Sequence, residues 1–297
     1  MVNADTEWAL GGTLMLPQGV PAPYPAVVLV QGSGPSDRDE TVYANKPFLD
    51  IATYLSTHGI AVLRYDKRTY TYQSKLAADV AGITVEEETI RDAVAAAGLL
   101  RADPRIDRNR VYVLGHSEGG MLAPRIDAEG GDFAGLIIMA GSPRTLSDIL
   151  VDQVTAQVAA LSGVAKALGQ AQLDALTTAL AGLDAMSDDD AKKVSVAGAS
   201  GYYFKEMNAH PASTYLTALT KPILILQGDK DVQVSPVKDF GAYQTLLAGR
   251  ANVTFRLYPG LNHLFITSTT GTVEDYKTPG HVDDTVLADV TAWIAAH

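Results

Sequence analysis

Short apolar runs recur along this chain, each largely free of polar residues on either face and each followed by a turn and a helical pattern. That alternation limits the fold more than any other feature. The runs are Pro25–Gln31, Ile60–Tyr65, Val111–Leu114, Gly135–Met139 and Pro222–Leu226, with a less apolar one at Asn252–Tyr258. A strand that is apolar on both faces must be covered on both, which points to a parallel sheet between two helical layers. The covering helices read as Phe48–His58, Glu86–Leu100 and Val282–Ala296, the second opened by Glu86, Glu87 and Glu88 in favour of the macrodipole. Trp8–Leu16 and the Pro17–Pro25 stretch read as an antiparallel N-terminal edge. The class is α/β.

With 297 residues, 47% of them hydrophobic, the chain can fill one large core or two ordinary ones. It has no cysteine, so disulfides, thiol nucleophiles and thiolate metal sites are excluded. A net charge of −11 argues against nucleic acid as a partner, because phosphate binding needs excess Lys and Arg. The first residues lack the basic and apolar regions of a signal peptide, and no stretch is apolar for long enough to cross a membrane. A cytoplasmic location is expected. No internal repeat is present.

One interval breaks the rhythm. Residues 145–220 contain helical patterns at Leu146–Leu161, Val164–Leu183 and Asp188 to about Val196, and no convincing strand. This is far longer than an ordinary crossover, so it reads as a helical cap inserted into a core made of 1–144 and 221–297. Tyr202, Tyr203 and Phe204 within it, together with Gly32, are candidates for the substrate pocket. An aromatic cluster can equally be the small core of the cap itself.

Gly115-His116-Ser117-Glu118-Gly119 follows the Val111–Leu114 run and precedes a helical pattern. A G-x-S-x-G at a strand-to-helix turn lifts the serine above the sheet on a strained bend, while the glycines avoid collisions there. Ser117 is therefore the candidate nucleophile. Its base is sought in a loop after a late strand, where parallel sheets place their sites, and His263 in Pro259–Phe265 fits. His281 and His210 are the alternatives; His116 reads as packing beneath the bend and His58 as a helix terminus. Asp231, after Pro222–Leu226, is the expected acid, with Asp229 as alternative. Backbone N–H groups of Ser33 and Glu118 are the expected oxyanion donors. Ser235-Pro-Val-Lys238 reads as a capped helix start rather than an S-x-x-K nucleophile, and Asp188–Asp190 as a helix start rather than a calcium loop. No metal site and no cofactor motif is found.

Five segments together resemble the α/β-hydrolases of the carboxylesterase type, in the branch of dienelactone hydrolases and prolyl-oligopeptidase catalytic domains. They are Gln31–Pro35 with Asp37–Asp39, Arg64–Arg68, Gly115–Gly120, Gln227–Asp231 and Pro259–His263. The resemblance implies a mostly parallel sheet with helices on both faces, and the helical cap is expected from the 145–220 interval. The resemblance also implies Ser117, Asp231 and His263 as triad and Ser33 and Glu118 as oxyanion donors, but not the substrate, since members diverge most in the insertion. A small-molecule ester is the expected substrate, with the helical insertion shaping its pocket. A serine peptidase or amidase, and a ligand-binding protein without turnover, are the alternative functions. Many members carry His-Gly where this chain has Gln31-Gly32, leaving open what steadies that loop.

Overall fold

The computed structural model describes residues 1–4, 6–77 and 80–297. The chain runs through β1 (Gly12–Met15), β2 (Tyr24–Val30), α1 (Pro47–Thr57), β3 (Ala61–Tyr65) and the short helices α2 (Arg68–Thr71) and α3 (Gln73–Leu76). Next come α4 (Arg91–Ala102), β4 (Ile106–His116), α5 (Glu118–Ile126) and β5 (Leu136–Met139). The interval after β5 holds α6 (Leu146–Ala159), α7 (Gly163–Gly182), α8 (Asp188–Ala191), β6 (Ser195–Val196), β7 (Ala199–Ser200), α9 (Gly201–Ala209) and α10 (Ala212–Ala218). β8 (Ile223–Gly228), α11 (Gly241–Leu246), β9 (Val253–Tyr258) and α12 (Asp284–Ala296) complete it.

Seven strands form one sheet in the order β1-β3-β2-β4-β5-β8-β9. Only β1 runs antiparallel, against β3; the other pairings are parallel, with Leu29 beside Leu114 and Leu114 beside Ile137. The predicted α/β class and mostly parallel sheet are what is found, and the antiparallel edge is confined to β1. The chain moves outward from β2 to β3, then returns to the other side of β2 with β4. The crevice above the carboxyl ends of β2 and β4 is thus the topological switch point, where such sheets bind ligands.

Alternate residues of each strand enter different layers. Val28, Val30, Val113, Ile138 and Ile225 pack on one face with Ala93, Ala96, Ala97 and Leu100 of α4 and Leu122, Ala123 and Ile126 of α5. Val27, Leu29, Leu114, Ile137 and Leu224 pack on the other with Phe48, Ile51 and Leu55 of α1 and Val286, Val290 and Trp293 of α12. Each large side chain so buried contributes about 1.5–3 kcal/mol, and together they hold both strand ends of the crevice in place.

Two local features depart from the sequence reading. The expected helix from Asp188 to about Val196 stops at Ala191, and β6 and β7 form a small hairpin in its place. Ala197 and Gly198, between those strands, both have positive φ (48° and 90°), the twist that a two-residue hairpin turn requires. The helix opened by Glu86 begins with one wider turn of π type over Glu86–Ile90 before α4, and this turn carries the buried Glu88. Among the described residues no helix is long and apolar enough to cross a membrane.

Candidate active site

Ser117 stands between β4 and α5 with φ 53° and ψ −118°, a backbone conformation costly for any residue bearing a Cβ. Its N–H donates to Met139 O of β5 at 2.9 Å, and its carbonyl accepts from Met121 N at 3.0 Å, so the bend is held from both sides. The glycines around it are dictated by contact. A Cβ on Gly115 would lie 2.1 Å from Gly119 O, and one on Gly119 would lie 2.2 Å from Val30 O of β2. Because both obstacles are backbone, Gly119→Ala is expected to cost about 3 kcal/mol or more, read as a shift in the urea midpoint. A shift below about 1 kcal/mol would show that β2 and α5 can separate.

Asp231, in the turn after β8, is buried and fully engaged. Its Oδ1 accepts from the N–H groups of Gln233 (2.8 Å) and Val234 (2.9 Å), and its Oδ2 from Gln227 Nε2 (2.8 Å). The same Oδ2 lies 2.7 Å from His263 Nδ1, so the imidazole carries its proton on that nitrogen and leaves Nε2 as the basic one. His263 lies in a tight loop after β9, where Asn262 Oδ1 accepts from Leu264 N and Ile266 N. The loop is tied to the strand that leads into Ser117 because His116 Nε2–H donates to His263 O at 2.9 Å, with the two rings 4.7 Å apart. Among the described residues the Ser117 hydroxyl makes no hydrogen bond to the His263 ring. Contacts of this kind commonly tighten only when substrate binds.

His116 does more than pack. Its Nδ1 faces the Glu40 carboxylate at 3.0 Å. Burial alone would lower its pKa, but Glu40 and the His263 carbonyl outweigh this and raise it. Glu40 Oε1 also accepts from Gly32 N at 2.7 Å, while Gly32 O accepts from Lys67 Nζ at 2.8 Å. In a trans peptide, C=O and N–H point in opposite directions. Drawing Gly32 O inward to Lys67 therefore turns the Ser33 N–H away from the buried side, and among the described residues that N–H has no acceptor. Glu118 is the first residue of α5, so its N–H has no partner within the helix. Gln31 steadies the loop by donating from Nε2 to Tyr65 O.

The charges of Arg64–Arg68 all find partners. Arg64 pairs with Asp39, Asp66 with Arg38 (2.6 Å), and Arg68 with Asp92 (2.5 Å). Lys67 pairs with Glu88 (3.2 Å) and Glu118 (3.3 Å). Lys67, Glu88, Glu40 and His116 were not singled out as site residues by the sequence reading, and their only signal was membership of charged or glycine-rich segments.

A cavity of about 670 Å³ opens above Ser117, bounded by Ser33, Glu118, Met121, Ile149, Leu150 and Val234 among others. Tyr203 and Phe204 line it; Tyr202 does not, and this expectation is corrected. One residue along α9 is a rotation of about 100°, and Tyr202 turns to lie under Lys192, whose Nζ is 5.0 Å from the ring centroid. Phe204 belongs also to the small core of the helical interval, with Leu180, Leu183 and Val196. Gly32 is not on the cavity wall but lies against Ser117: a Cβ on it would be 3.1 Å from that of Ser117. The other candidates have different roles. His281 is exposed beside Asp50, His210 contacts Tyr215, and Asp229 accepts from Gly260 N in a turn. Ser235 caps the following helical turn by accepting from Lys238 N. Among the described residues no group of three His, Asp or Glu side chains is placed to hold a metal ion.

Residues 45–269, well over half of the chain, match the family described as serine aminopeptidase, S33. The chain is 37% identical over 290 residues to the esterase EstD of Thermotoga maritima, covering 96% of this chain but 65% of that relative's length. In structure it is similar to Est1E of Butyrivibrio proteoclasticus, with a TM-score of 0.61 at 15% identity over 97% of this chain and 93% of the other. It is likewise similar to a proline iminopeptidase of Mycobacterium smegmatis, with a TM-score of 0.58 at 15% identity over 96% and 94%. At that identity the two likenesses show a shared fold. On the extent of the family match, the chain belongs to the serine aminopeptidase S33 family of α/β-hydrolase serine hydrolases.

Proposed function

We propose that this protein hydrolyses carboxylic esters through an acyl-enzyme on Ser117. The observation that carries the reading is a serine on a strained bend, opening into a largely apolar cavity, with a buried Asp231–His263 pair tied through His116 to the end of the same strand. His263 Nε2 takes the Ser117 proton as Oγ attacks the ester carbonyl, then returns it to the departing alcohol. Asp231 keeps the imidazole in the useful tautomer and favours the imidazolium. The Ser33 and Glu118 N–H groups receive the oxyanion, each worth about 2.7–4 kcal/mol in comparable sites. Water repeats the sequence on the acyl-enzyme and releases the acid.

Residues 145–220 act in this reading as the cap. Leu146, Ile149, Leu150 and Phe204 supply apolar wall to the cavity, which suits the small or short-chain acyl group of a simple ester. The identity to EstD supports an ester; the family's description supports a second reading, removal of an N-terminal amino acid. A free ammonium needs a carboxylate to receive it. Glu88 and Glu118 border the cavity, but each is already paired with Lys67, which favours the ester. A fluorophosphonate is expected to label Ser117, and short-chain nitrophenyl esters to be cleaved at least about 100-fold more efficiently than aminoacyl anilides. Absence of an adduct at Ser117 would sink both readings, and a preference for the anilides would select the peptidase.

A further inference from the structure

Tyr203, carried by α9, meets two segments of the core beside the cavity. Its hydroxyl oxygen lies 2.9 Å from Glu88 Oε2 and 3.0 Å from Glu118 Oε2, and all three side chains are buried. A phenol has one hydrogen to donate. If it donates to one carboxylate, the other contact is a full hydrogen bond only when that carboxyl brings a proton of its own. Charge balance asks for the same proton. Lys67 is the cation shared by the two carboxyls, so the cluster is neutral with one of them protonated and carries a buried negative charge with both ionised.

Glu88 also accepts from Thr69 Oγ1 at 3.1 Å, which gives it one donor more than Glu118. Of the two carboxyls, Glu118 is therefore the one left with fewer donors to hold an ionised form. Burial pushes the Glu118 carboxyl up, whereas at Glu88 the effect of burial is outweighed by Lys67, Tyr203 and Thr69, which hold it down. The titratable groups facing Glu118 are Lys67 from the loop after β3, Glu88 from the turn before α4 and Tyr203 from α9.

We propose that Tyr203, Glu88 and Glu118 share one proton that keeps the floor of the oxyanion hole neutral, which makes Tyr203 and Glu88 positioning residues for ester cleavage. The inference rests on the reading of Ser117, Ser33 and Glu118 given above. Glu118 contributes its own N–H to the oxyanion, and Lys67 orients the Ser33 N–H through Gly32 O. When alkali removes the shared proton to solvent, the new charge draws Lys67 away from Gly32 O. It also stands beside the site where the oxyanion forms. Both effects weaken the transition state more than the ground state.

The test compares wild type, Tyr203→Phe and Glu88→Gln on a nitrophenyl ester from about pH 6 to 10, with the carboxyl region of the infrared spectrum recorded on the same samples. Wild type is expected to show a protonated-carboxyl band at neutral pH that disappears in step with an alkaline fall in kcat. In Glu88→Gln the amide supplies the bridging hydrogen and Lys67–Glu118 is a neutral pair, so the band and the alkaline fall are both lost. Tyr203→Phe is expected to lower kcat about tenfold or more with KM within about twofold, and to displace the alkaline midpoint. No band attributable to this pair in wild type, or one alkaline midpoint shared by all three proteins, would overturn the proposal. Should Tyr203→Phe fail to fold, Glu88→Gln and the infrared band decide. Turnover retained in Ser117→Ala would instead overturn the underlying assignment of the nucleophile, and the infrared result would stand apart from it.

Discussion

Ser117→Gly is expected to lose about 10⁶-fold in kcat on a nitrophenyl ester while becoming more stable than the parent protein. The loss follows from removing the only oxygen placed to form the acyl-enzyme in the proposed mechanism. The gain follows from the backbone. Ser117 is held at φ 53° and ψ −118°, and relief of such strain is worth about 1–3 kcal/mol. Glycine adopts that conformation freely but gives back about 0.5–1 kcal/mol through a looser unfolded chain. The net expectation is a stabilisation of about 1 kcal/mol, measurable as a higher urea midpoint with unchanged slope. Retained turnover would remove Ser117 from the chemistry; a lower midpoint would mean that the bend is not strained.

Asp231→Asn is expected to lower kcat by about 10⁴ without unfolding the protein. The hydrogen bonds leave the new amide one tolerable orientation. Its oxygen must take the Oδ1 position, because two backbone donors, Gln233 N and Val234 N, point there. The NH₂ then occupies the Oδ2 position and faces His263 Nδ1 as a donor. The imidazole must accept on Nδ1 and carry its proton on Nε2, so it can no longer receive the proton of Ser117. The same NH₂ also meets the Gln227 Nε2 donor, which adds a modest cost in stability. A full loss of folded signal, or a rate within tenfold of the parent, would contradict this account of Asp231.

Much of the fold was legible because its determinants are local. The two-faced apolar runs ended in Gly- or Asp-bearing turns, and their order alone required a sheet covered on both sides. The closeness of Asp231 to His263 was legible for the same reason, since each follows such a run at the end where the crevice forms. Other features depend on chain segments far apart in sequence. Lys67 belongs to a segment that carries the resemblance, but nothing local in that segment points to Glu88 and Glu118, which only the fold places against it. His116 reads as packing until the fold sets the Glu40 carboxylate, far upstream, 3.0 Å from its Nδ1. Tyr202 and Tyr203 are adjacent in sequence, and only the phase of α9 decides which of them faces the cavity. The β6–β7 hairpin was hidden because two residues per strand leave no alternation to read.

The contact from His116 to the carbonyl of His263 has a mechanical consequence. β4 ends in His116 and passes directly into Ser117, so one strand terminus both presents the hydroxyl and grips the loop of the base. In the proposed mechanism, a slow sway of that rim carries Ser117 and His263 along together. That tether limits how far the serine and the histidine loop can drift apart when the rim moves.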